Sequence, residues 1–233
     1  MFIIKQSLFY LSSNVDELFL EIVRFITNKI FLNMTTPNKK IDGMLTHAEN
    51  VILVIDMEND FVLPDSPMKV AGAYDTLPSI KKFLDFGRAN DWVVIYIYRI
   101  HRPSGVDAEL FRRHFFEEGH PFCIAGTKGA AIPDEIAPQP GDYTVTKQRF
   151  SAFFATDLDI ILRGLGTKNV YLTGTQYPNC IRSTAVDSMS LDYNTVVVTD
   201  CCSAASEDVA KANIYDLQNM GIACVTSNEV MTK

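Results

Sequence analysis

A cysteine at the start of a predicted helix is the residue of this chain best placed for nucleophilic chemistry. The segment GTQYPNCIRSTAVDSMSLD (174–192) follows an apolar strand that ends at Gly174, and its helix is predicted to begin at Cys180 or Ile181. The positive end of a helix dipole lowers the pKa of a thiol, and the free N–H groups there bind a developing oxyanion. A buried structural cysteine in a tight turn is the competing interpretation.

Two further side chains end apolar strands and supply the chemistry that a thiol nucleophile needs. Asp56 ends VILVID (51–56), and Lys147 ends YTVTK (143–147). A carboxylate beside a thiol takes its proton and returns it to a leaving amine, while a lysine stabilises thiolate and keeps the carboxylate ionised. Taken singly, such residues are also typical of a turn cap and of a solvated surface charge.

Buried strands and amphipathic helices alternate along the chain and position these side chains. Apolar runs predict strands at 51–56, 92–98, 143–147, 169–174, 195–200 and 222–226. Helical spacing predicts helices at 76–89, 156–166 and 206–221, with caps at Thr156, Asp159 and Ser206 and terminal glycines at Gly166 and Gly221. Because the strands are apolar on both faces, we predict an α/β fold, a Rossmann-like three-layer α/β/α domain with a mostly parallel six-stranded sheet.

The residues that follow each strand are the candidates for a site, because ligands of open parallel sheets bind beyond the carboxyl ends of the strands. They are Asp56, Arg99, His101, Arg102, Lys147, the stretch 175–180 and Asp200. With a strand order of 3-2-1-4-5-6, Lys147 and Cys180 come from opposite sides of the first strand. The lysine stem must then reach across toward Asp56.

The composition excludes several function classes. Hydrophobic residues make up 47% and charged residues 21% of the 233 residues, and the net charge is −7. An acidic chain without a basic stripe is a poor partner for nucleic acid or an anionic membrane. The five irregularly spaced cysteines favour neither a disulfide framework nor structural zinc, so we expect a cytoplasmic protein.

Residues 1–46 differ from the rest and are predicted to be a helical extension and linker before a domain at 47–233. The segment 14–32 has the pattern of an amphipathic helix, and its charges exclude a transmembrane span. The polar stretch MTTPNKKIDG (34–43) is typical of a linker. Met34 at its head is an alternative start codon, so an appended helix and an over-extended gene start both stay open. A signal peptide is not favoured.

Three segments carry a resemblance to a known family. They are VILVIDMENDFV (51–62), TKQRFSAFFATDLDIILRGLG (146–166) and GTQYPNCIRSTAVDSMSLDY (174–193). In this order they resemble the isochorismatase-like cysteine hydrolases, which include nicotinamidases, N-carbamoylsarcosine amidohydrolase and ureidoacrylate amidohydrolase. The resemblance spans about residues 50–230 and implies the isochorismatase-like fold.

This resemblance implies a catalytic triad of Asp56, Lys147 and Cys180 that cleaves a C–N bond of a small amide, ureido or carbamoyl compound. It also implies a cis peptide at Thr175–Gln176 and an oxyanion hole made by the N–H groups of Gln176 and Cys180. Asp56 then deprotonates Cys180, the thiolate attacks the carbonyl, Asp56 protonates the departing amine, and water hydrolyses the thioester.

The expected substrate pocket is lined by Phe61, His101, Arg102, Phe153 and Tyr177. The resemblance places Phe61 and Phe153 at the active site, although aromatic residues are more often part of a core. Tyr177 stands where relatives commonly have Thr and would narrow the pocket. Arg102 suits a substrate carboxylate, with a solvent-exposed loop as the competing interpretation.

The metal site of nicotinamidases in this family is not expected here. Those enzymes bind a metal through an aspartate and histidines placed after the second strand. The corresponding segment YRIHRPSGVDAELFRRH (98–114) has His101 and His114 but no Asp-x-His pair. We therefore expect no metal and no cofactor. Glu58, where relatives commonly have Gln, is a change outside the triad.

Three hypotheses about function follow. The first is a cysteine amidohydrolase that acts on a small-molecule substrate and forms a homo-oligomer, a dimer or tetramer as relatives often do. The second is a different enzyme class, either an ether-cleaving isochorismatase, which Cys180 argues against, or a thiol-dependent redox enzyme. The third is a non-catalytic oligomeric scaffold with the same fold.

Overall fold

Six strands form the parallel sheet that the apolar runs predict. The computed structural model describes residues 40–66 and 68–232. After a hairpin of β1 (Lys40–Ile41) and β2 (Met44–Leu45), the sheet strands are β3 (Asn50–Ile55), β4 (Val93–Arg99), β5 (Tyr143–Lys147), β6 (Asn169–Thr175), β7 (Asn194–Ser203) and β8 (Ala223–Val225). Their order is β5-β4-β3-β6-β7-β8, and every neighbouring pair is parallel. This is the predicted 3-2-1-4-5-6 order.

Helices cover both faces of the sheet. They are α1 (Asn59–Val62), α2 (Leu77–Ala89), α3 (Arg113–Glu117), α4 (Leu158–Leu165), α5 (Arg182–Ser190), α6 (Glu207–Asn219) and α7 (Ser227–Met231). Alternate residues of β3 belong to two separate cores: Leu53 packs in the core with α4, α5 and α6, whereas Ile52 and Val54 pack in the core with α2. The period of two along a strand thus explains the continuous apolar runs, and the three-layer α/β/α fold is confirmed.

Helix ends follow the predicted signals in part. Ser206 caps α6 by accepting the N–H of Val209 at 3.3 Å, and Gly221 has the positive φ of 84° expected after a helix end. The predicted capping pair of Thr156 and Asp159 does not form. The carboxylate of Asp159 instead accepts a hydrogen bond from Arg163, one turn further along α4.

Residues 40–45 form a hairpin in the stretch predicted to be linker. Asp42 and Gly43 both have positive φ, 51° and 83°, as a two-residue hairpin turn requires. Leu45 is buried in the core, and its carbonyl accepts the hydroxyl hydrogen of Tyr143 at 2.7 Å. The predicted helix at 14–32 and the alternative start at Met34 lie outside the described residues. None of the helices that the structure describes is long and apolar enough to cross a membrane.

Candidate active site

The carboxyl ends of the three strands β3, β4 and β5 bring charged side chains together. Arg99 and Lys147 are the last residues of β4 and β5 and are paired in register, while Asp56 directly follows β3. Asp56 has a positive φ of 48°, and its N–H donates to the carbonyl of Ile97 at 3.1 Å. The main chain therefore turns out of the sheet at Asp56 while remaining bonded to the neighbouring strand.

Lys147 and Asp56 form a buried ion pair. The Lys147 Nζ lies 3.0 Å from both carboxylate oxygens of Asp56, and it also donates to the carbonyl of Phe150 at 2.7 Å. Their side chains are 0% and 3% exposed. The lysine stem thus reaches the aspartate from two strands away, as the sheet order requires, and holds it in one orientation.

Arg99, a strand-end candidate to which the sequence assigned no catalytic or binding role, is a member of the cluster. Its Nη2 donates to the Cys180 Sγ at 3.3 Å and lies 3.5 Å from the Asp56 Oδ2, and its Nη1 donates to the Glu109 Oε1 at 2.7 Å. Burial opposes its charge, but the Asp56, Cys180 and Glu109 groups raise the pKa of Arg99 above its ordinary value. Its place at the end of a predicted strand marks it as a candidate in the sequence, whereas its contacts with Cys180 and Asp56 come from the fold.

Cys180 lies in a tight turn between β6 and α5. Gly174 has a φ of 109°, and a Cβ there would lie 2.0 Å from the carbonyl oxygen of Ile55, so only glycine fits. The Thr175–Gln176 peptide bond is cis. A single π-helical turn, Tyr177–Ile181, then precedes α5, which begins at Arg182 rather than at the predicted 180 or 181. Cys180 is thereby directed into the charged cluster.

The pKa of the Cys180 thiol is raised, which is the opposite of the expectation from a helix N-terminus. Burial is the largest cause and the negative charge of Asp56 adds to it, while Lys147 and Arg99 act in the opposite direction. We therefore expect the thiol of Cys180 to be protonated at rest.

Glu58 forms a second buried carboxyl group beneath Asp56. It is fully buried, and its Oε1 accepts the backbone N–H of Arg99. Burial and the charge of Asp56 raise the pKa of Glu58 well above its ordinary value. Burial therefore favours the protonated form of Glu58, and its Oε1 ties the side chain to the end of β4.

A small cavity opens onto the thiol. Its lining is formed by Asp56, Phe61, Val70, Arg112, Thr175, Gln176, Asn179 and Cys180. Six of these eight residues are among the candidates from the sequence, since Asn179 lies in the stretch 175–180. Val70 and Arg112 are not. Arg112 lies in a one-turn 3-10 helix, Leu110–Arg112, that no local sequence pattern connects to the site.

Two of the predicted pocket aromatics lie in the core rather than on the cavity. Tyr177 is 1% exposed and its hydroxyl donates to the carbonyl of Thr199 at 3.2 Å. Phe153 stacks on Tyr193 with ring centroids 6.1 Å apart. Only Phe61 of the predicted aromatic walls lines the cavity. Tyr177 and Phe153 instead make apolar contacts with the core.

His101 and Arg102 also lie off the cavity. His101 is 1% exposed, and burial together with the charge of Arg99 lowers its pKa to about 4. The Arg102 side chain is 71% exposed and pairs with Asp107 at 3.0 Å. Asp200, the remaining strand-end residue, accepts hydrogen bonds from Ser227 at the start of α7.

The donors of segment 98–114 do not converge as metal ligands. His101 Nδ1 lies 3.5 Å from Asp107, which Arg102 already engages, and the strand end itself carries the guanidinium of Arg99. Within residues 40–66 and 68–232, no three His, Cys, Asp or Glu side chains are placed to hold an ion together. These residues do not fit the metal that nicotinamidases hold.

Comparison with known proteins identifies the family. The isochorismatase domain model matches residues 50–229. A protein of Arabidopsis thaliana named as a probable inactive nicotinamidase is 39% identical over 76% of this chain and 92% of its own length. The ureidoacrylate amidohydrolase of Agrobacterium fabrum is 30% identical over 79% of this chain and 90% of its own. The structure of an isochorismatase family protein from Desulfovibrio vulgaris matches with a TM-score of 0.77 and 46% identity, over 80% of this chain and 100% of its own. The chain therefore belongs to the isochorismatase family.

Proposed function

We propose that this protein is a cysteine hydrolase that cleaves the C–N bond of a small amide, ureido or carbamoyl compound through a thioester. The observation that carries the proposal is the buried contact of Cys180 with Arg99, and of Asp56 with Arg99 and Lys147, at the mouth of one cavity. Relatives with 30% and 29% identity are named ureidoacrylate amidohydrolase and maleamate amidohydrolase, which supports the same reaction class.

Asp56 is the proposed general base. Lys147 orients its carboxylate, so that it accepts the proton of the Cys180 thiol as the sulfur attacks the substrate carbonyl. The Nη2 of Arg99, 3.3 Å from the sulfur, stabilises the negative charge that appears there. The raised pKa of Cys180 agrees with a thiol that loses its proton only as it attacks.

The oxyanion of the tetrahedral intermediate is proposed to accept hydrogen bonds from the N–H groups of Gln176 and Cys180. Both residues line the cavity. Such prearranged donors commonly contribute about 3 kcal/mol to the transition state. Collapse of the intermediate breaks the C–N bond, and Asp56 returns its proton to the departing nitrogen.

Hydrolysis of the thioester closes the cycle. Asp56 takes a proton from water as the water oxygen attacks the acyl carbon, and the C–S bond then breaks. The sulfur leaves as thiolate and regains the proton from Asp56. One water is consumed, and the products are a carboxylic acid and ammonia or an amine, with the enzyme unchanged.

A non-catalytic scaffold is the competing function, because a relative with 39% identity is named as probably inactive. The experiment measures ammonia release from ureido acids, carbamoyl amino acids, amic acids and aromatic amides. We expect turnover of at least one class, and a loss of about 10⁴-fold in Cys180→Ala. Cys224→Ala is the matched control, since Cys224 lies on β8 away from the cavity. Absence of release from every class, or full activity in Cys180→Ala, would contradict the proposal.

The predicted homo-oligomer and the cytoplasmic location stay predictions. One loop exposes three large apolar side chains, Val106 at 60%, Leu110 at 80% and Phe111 at 62%, which supports association of copies. Light scattering across a concentration series measures the oligomeric state, and a monomer at all concentrations would contradict it.

A further inference from the structure

Arg112 presents a guanidinium to the cavity that the mechanism above does not use. It lies over the rings of Phe111 and Phe150, each 5.2 Å from the ring centroid, and its side chain is 11% exposed. It lines the cavity together with Cys180. The aromatic contacts hold the planar group in place without neutralising it.

The carboxylate nearest to Arg112 is already engaged by another arginine. Glu109 accepts from the Arg99 Nη1 at 2.7 Å, whereas the Arg112 Nη1 lies 3.7 Å from the second oxygen of Glu109. That second oxygen is buried and makes no hydrogen bond within the described part of the chain. Glu109 is therefore a distant partner for Arg112 and is shared with Arg99.

The other cations of the site have close carboxylate partners. Lys147 and Arg99 pair with Asp56, and Arg99 also pairs with Glu109 at 2.7 Å, whereas Arg112 lies 3.7 Å from Glu109. Burial and the charge of Arg99 lower the pKa of Arg112, although a guanidinium stays protonated. An anionic ligand group would give Arg112 the close partner that it lacks within the described residues.

We infer that the cavity takes a small molecule in which a carboxylate accompanies the scissile amide, with the carboxylate bound by Arg112 and the amide carbonyl placed at Cys180. The amide part rests on the proposed function, and the carboxylate part does not. Arg and carboxylate match as a two-pronged hydrogen-bonded pair. Among the compounds of the proposed function, the class is therefore an amic, ureido or carbamoyl acid, because Arg112 and Cys180 line the same cavity.

Arg102, the arginine that the sequence suggested for a substrate carboxylate, is a poor alternative. Asp107 accepts hydrogen bonds from both its backbone N–H, at 3.1 Å, and its Nη1, at 3.0 Å. Its side chain is largely in water, where an added ion pair contributes little.

Alkylation of Cys180 by iodoacetate and iodoacetamide tests the carboxylate site without needing a substrate. The two reagents are the same size and differ in one carboxylate. Peptide mass spectrometry gives both rates for Cys180, with the partly exposed Cys224 as internal reference. We expect the iodoacetate-to-iodoacetamide ratio at Cys180 to exceed that at Cys224 by at least about tenfold, since a well-placed charge pair commonly gives such a preference.

Arg112→Gln should reduce this ratio to that of Cys224. Arg163→Gln is the matched control, because Arg163 pairs with Asp159 on the surface of α4 and should leave the ratio unchanged. An equal ratio in wild type and Arg112→Gln would overturn the inference. So would a loss of the preference in Arg102→Gln instead.

A measurement on the wild type alone covers the case in which Arg112→Gln does not fold. Maleamate should protect Cys180 from iodoacetamide at concentrations at least about tenfold lower than its neutral diamide, maleamide. Equal protection would overturn the carboxylate site. A carboxylate preference without hydrolysis of any amide supports the site and contradicts the amidase, whereas amide hydrolysis with no carboxylate preference does the reverse.

Discussion

The two ends of the central sheet are built from different chemistry. At the amino end, Asn50, Asn169 and Asn194 begin adjacent strands and form a chain of neutral hydrogen bonds of 2.8 and 2.9 Å. At the carboxyl end, the residues at the strand ends are buried charged side chains. There the buried atoms without a hydrogen-bond partner in residues 40–66 and 68–232 include Glu58 Oε2, Arg99 Nε and Glu109 Oε2.

This difference indicates that the amino end of the sheet serves stability and the carboxyl end serves function. Neutral amides in register satisfy one another, so the amino end makes little demand on its surroundings. Buried charges lose hydration, and ion pairs in the interior often recover no more than that loss. A sheet that concentrates its ions and its unsatisfied polar atoms at one end has a use for them there, in holding Cys180 and whatever ligand enters the cavity.

The largest effect should come from replacing the lysine at the carboxyl end. In Lys147→Met, Asp56 keeps the more distant Arg99, 3.5 Å away, and loses the buried cation at 3.0 Å that orients its carboxylate. We expect kcat/KM for whichever substrate is found to fall at least about 10³-fold, as for a member of a catalytic triad. Steady-state ammonia release measures this.

Lys168→Met is the matched replacement at the amino end. Lys168 pairs with Glu49 at 2.9 Å, but the two side chains are 68% and 53% exposed. Activity should be unchanged and stability altered by under about 1 kcal/mol. If the two lysine variants lose activity equally, the contrast between the ends fails. The double variant Asp56→Asn with Lys147→Met checks folding, and we expect it to unfold at no lower urea concentration than Lys147→Met.

A pH-dependent effect should follow from Glu58. Its pKa is raised in the folded chain above the ordinary 4.5, so the folded state keeps a proton that the unfolded chain releases as pH rises. Stability contributed by this group is thus present below pH 4.5 and declines above it, by up to about 1.4 kcal/mol per pH unit until the folded pKa is passed. Glu58→Gln does not titrate and should remove this decline.

Urea unfolding of the wild type and Glu58→Gln between pH 4 and 8 measures the difference. The variant should gain stability relative to the wild type as pH rises. Glu49→Gln, an exposed carboxylate replaced at the amino end, serves as control. A difference between wild type and Glu58→Gln that is constant with pH would show that Glu58 is ionised when folded.

The smallest effect should come from the asparagine chain. Asn169→Ala removes the shared partner of Asn50 and Asn194, both of which water can reach in part. We expect a loss of about 1 kcal/mol in urea unfolding and unchanged activity, as for a typical hydrogen bond between neutral groups. A decrease in activity beyond about twofold would show that the amino end also influences the site.

Most of the sheet and part of the site could be predicted from the chain alone. Apolar runs such as 51–56 mark strands buried on both faces, because alternate side chains must enter two cores. Strand ends then identify Asp56 and Lys147, since parallel strands expose their carboxyl ends on one edge. Cys180 is identified by its position in the turn that follows the strand ending at Gly174.

For other residues, only the tertiary structure decided which candidate reaches the site. Arg99 and Arg102 are near neighbours in sequence, yet one is fully buried against Cys180 and the other is largely in water. The strand's pleat and the packing of the following loop decide this difference, and neither is encoded by residue type.

By itself, then, the sequence determined the order of strands and helices and the positions at which a nucleophile, a base and a cation leave the sheet. These depend on local periodicity and on a general rule for parallel sheets. Only the tertiary structure decided that Arg112 reaches the cavity and that the thiol of Cys180 has a raised pKa. Burial and the distances between charges set both properties, and they exist only once distant segments are packed together.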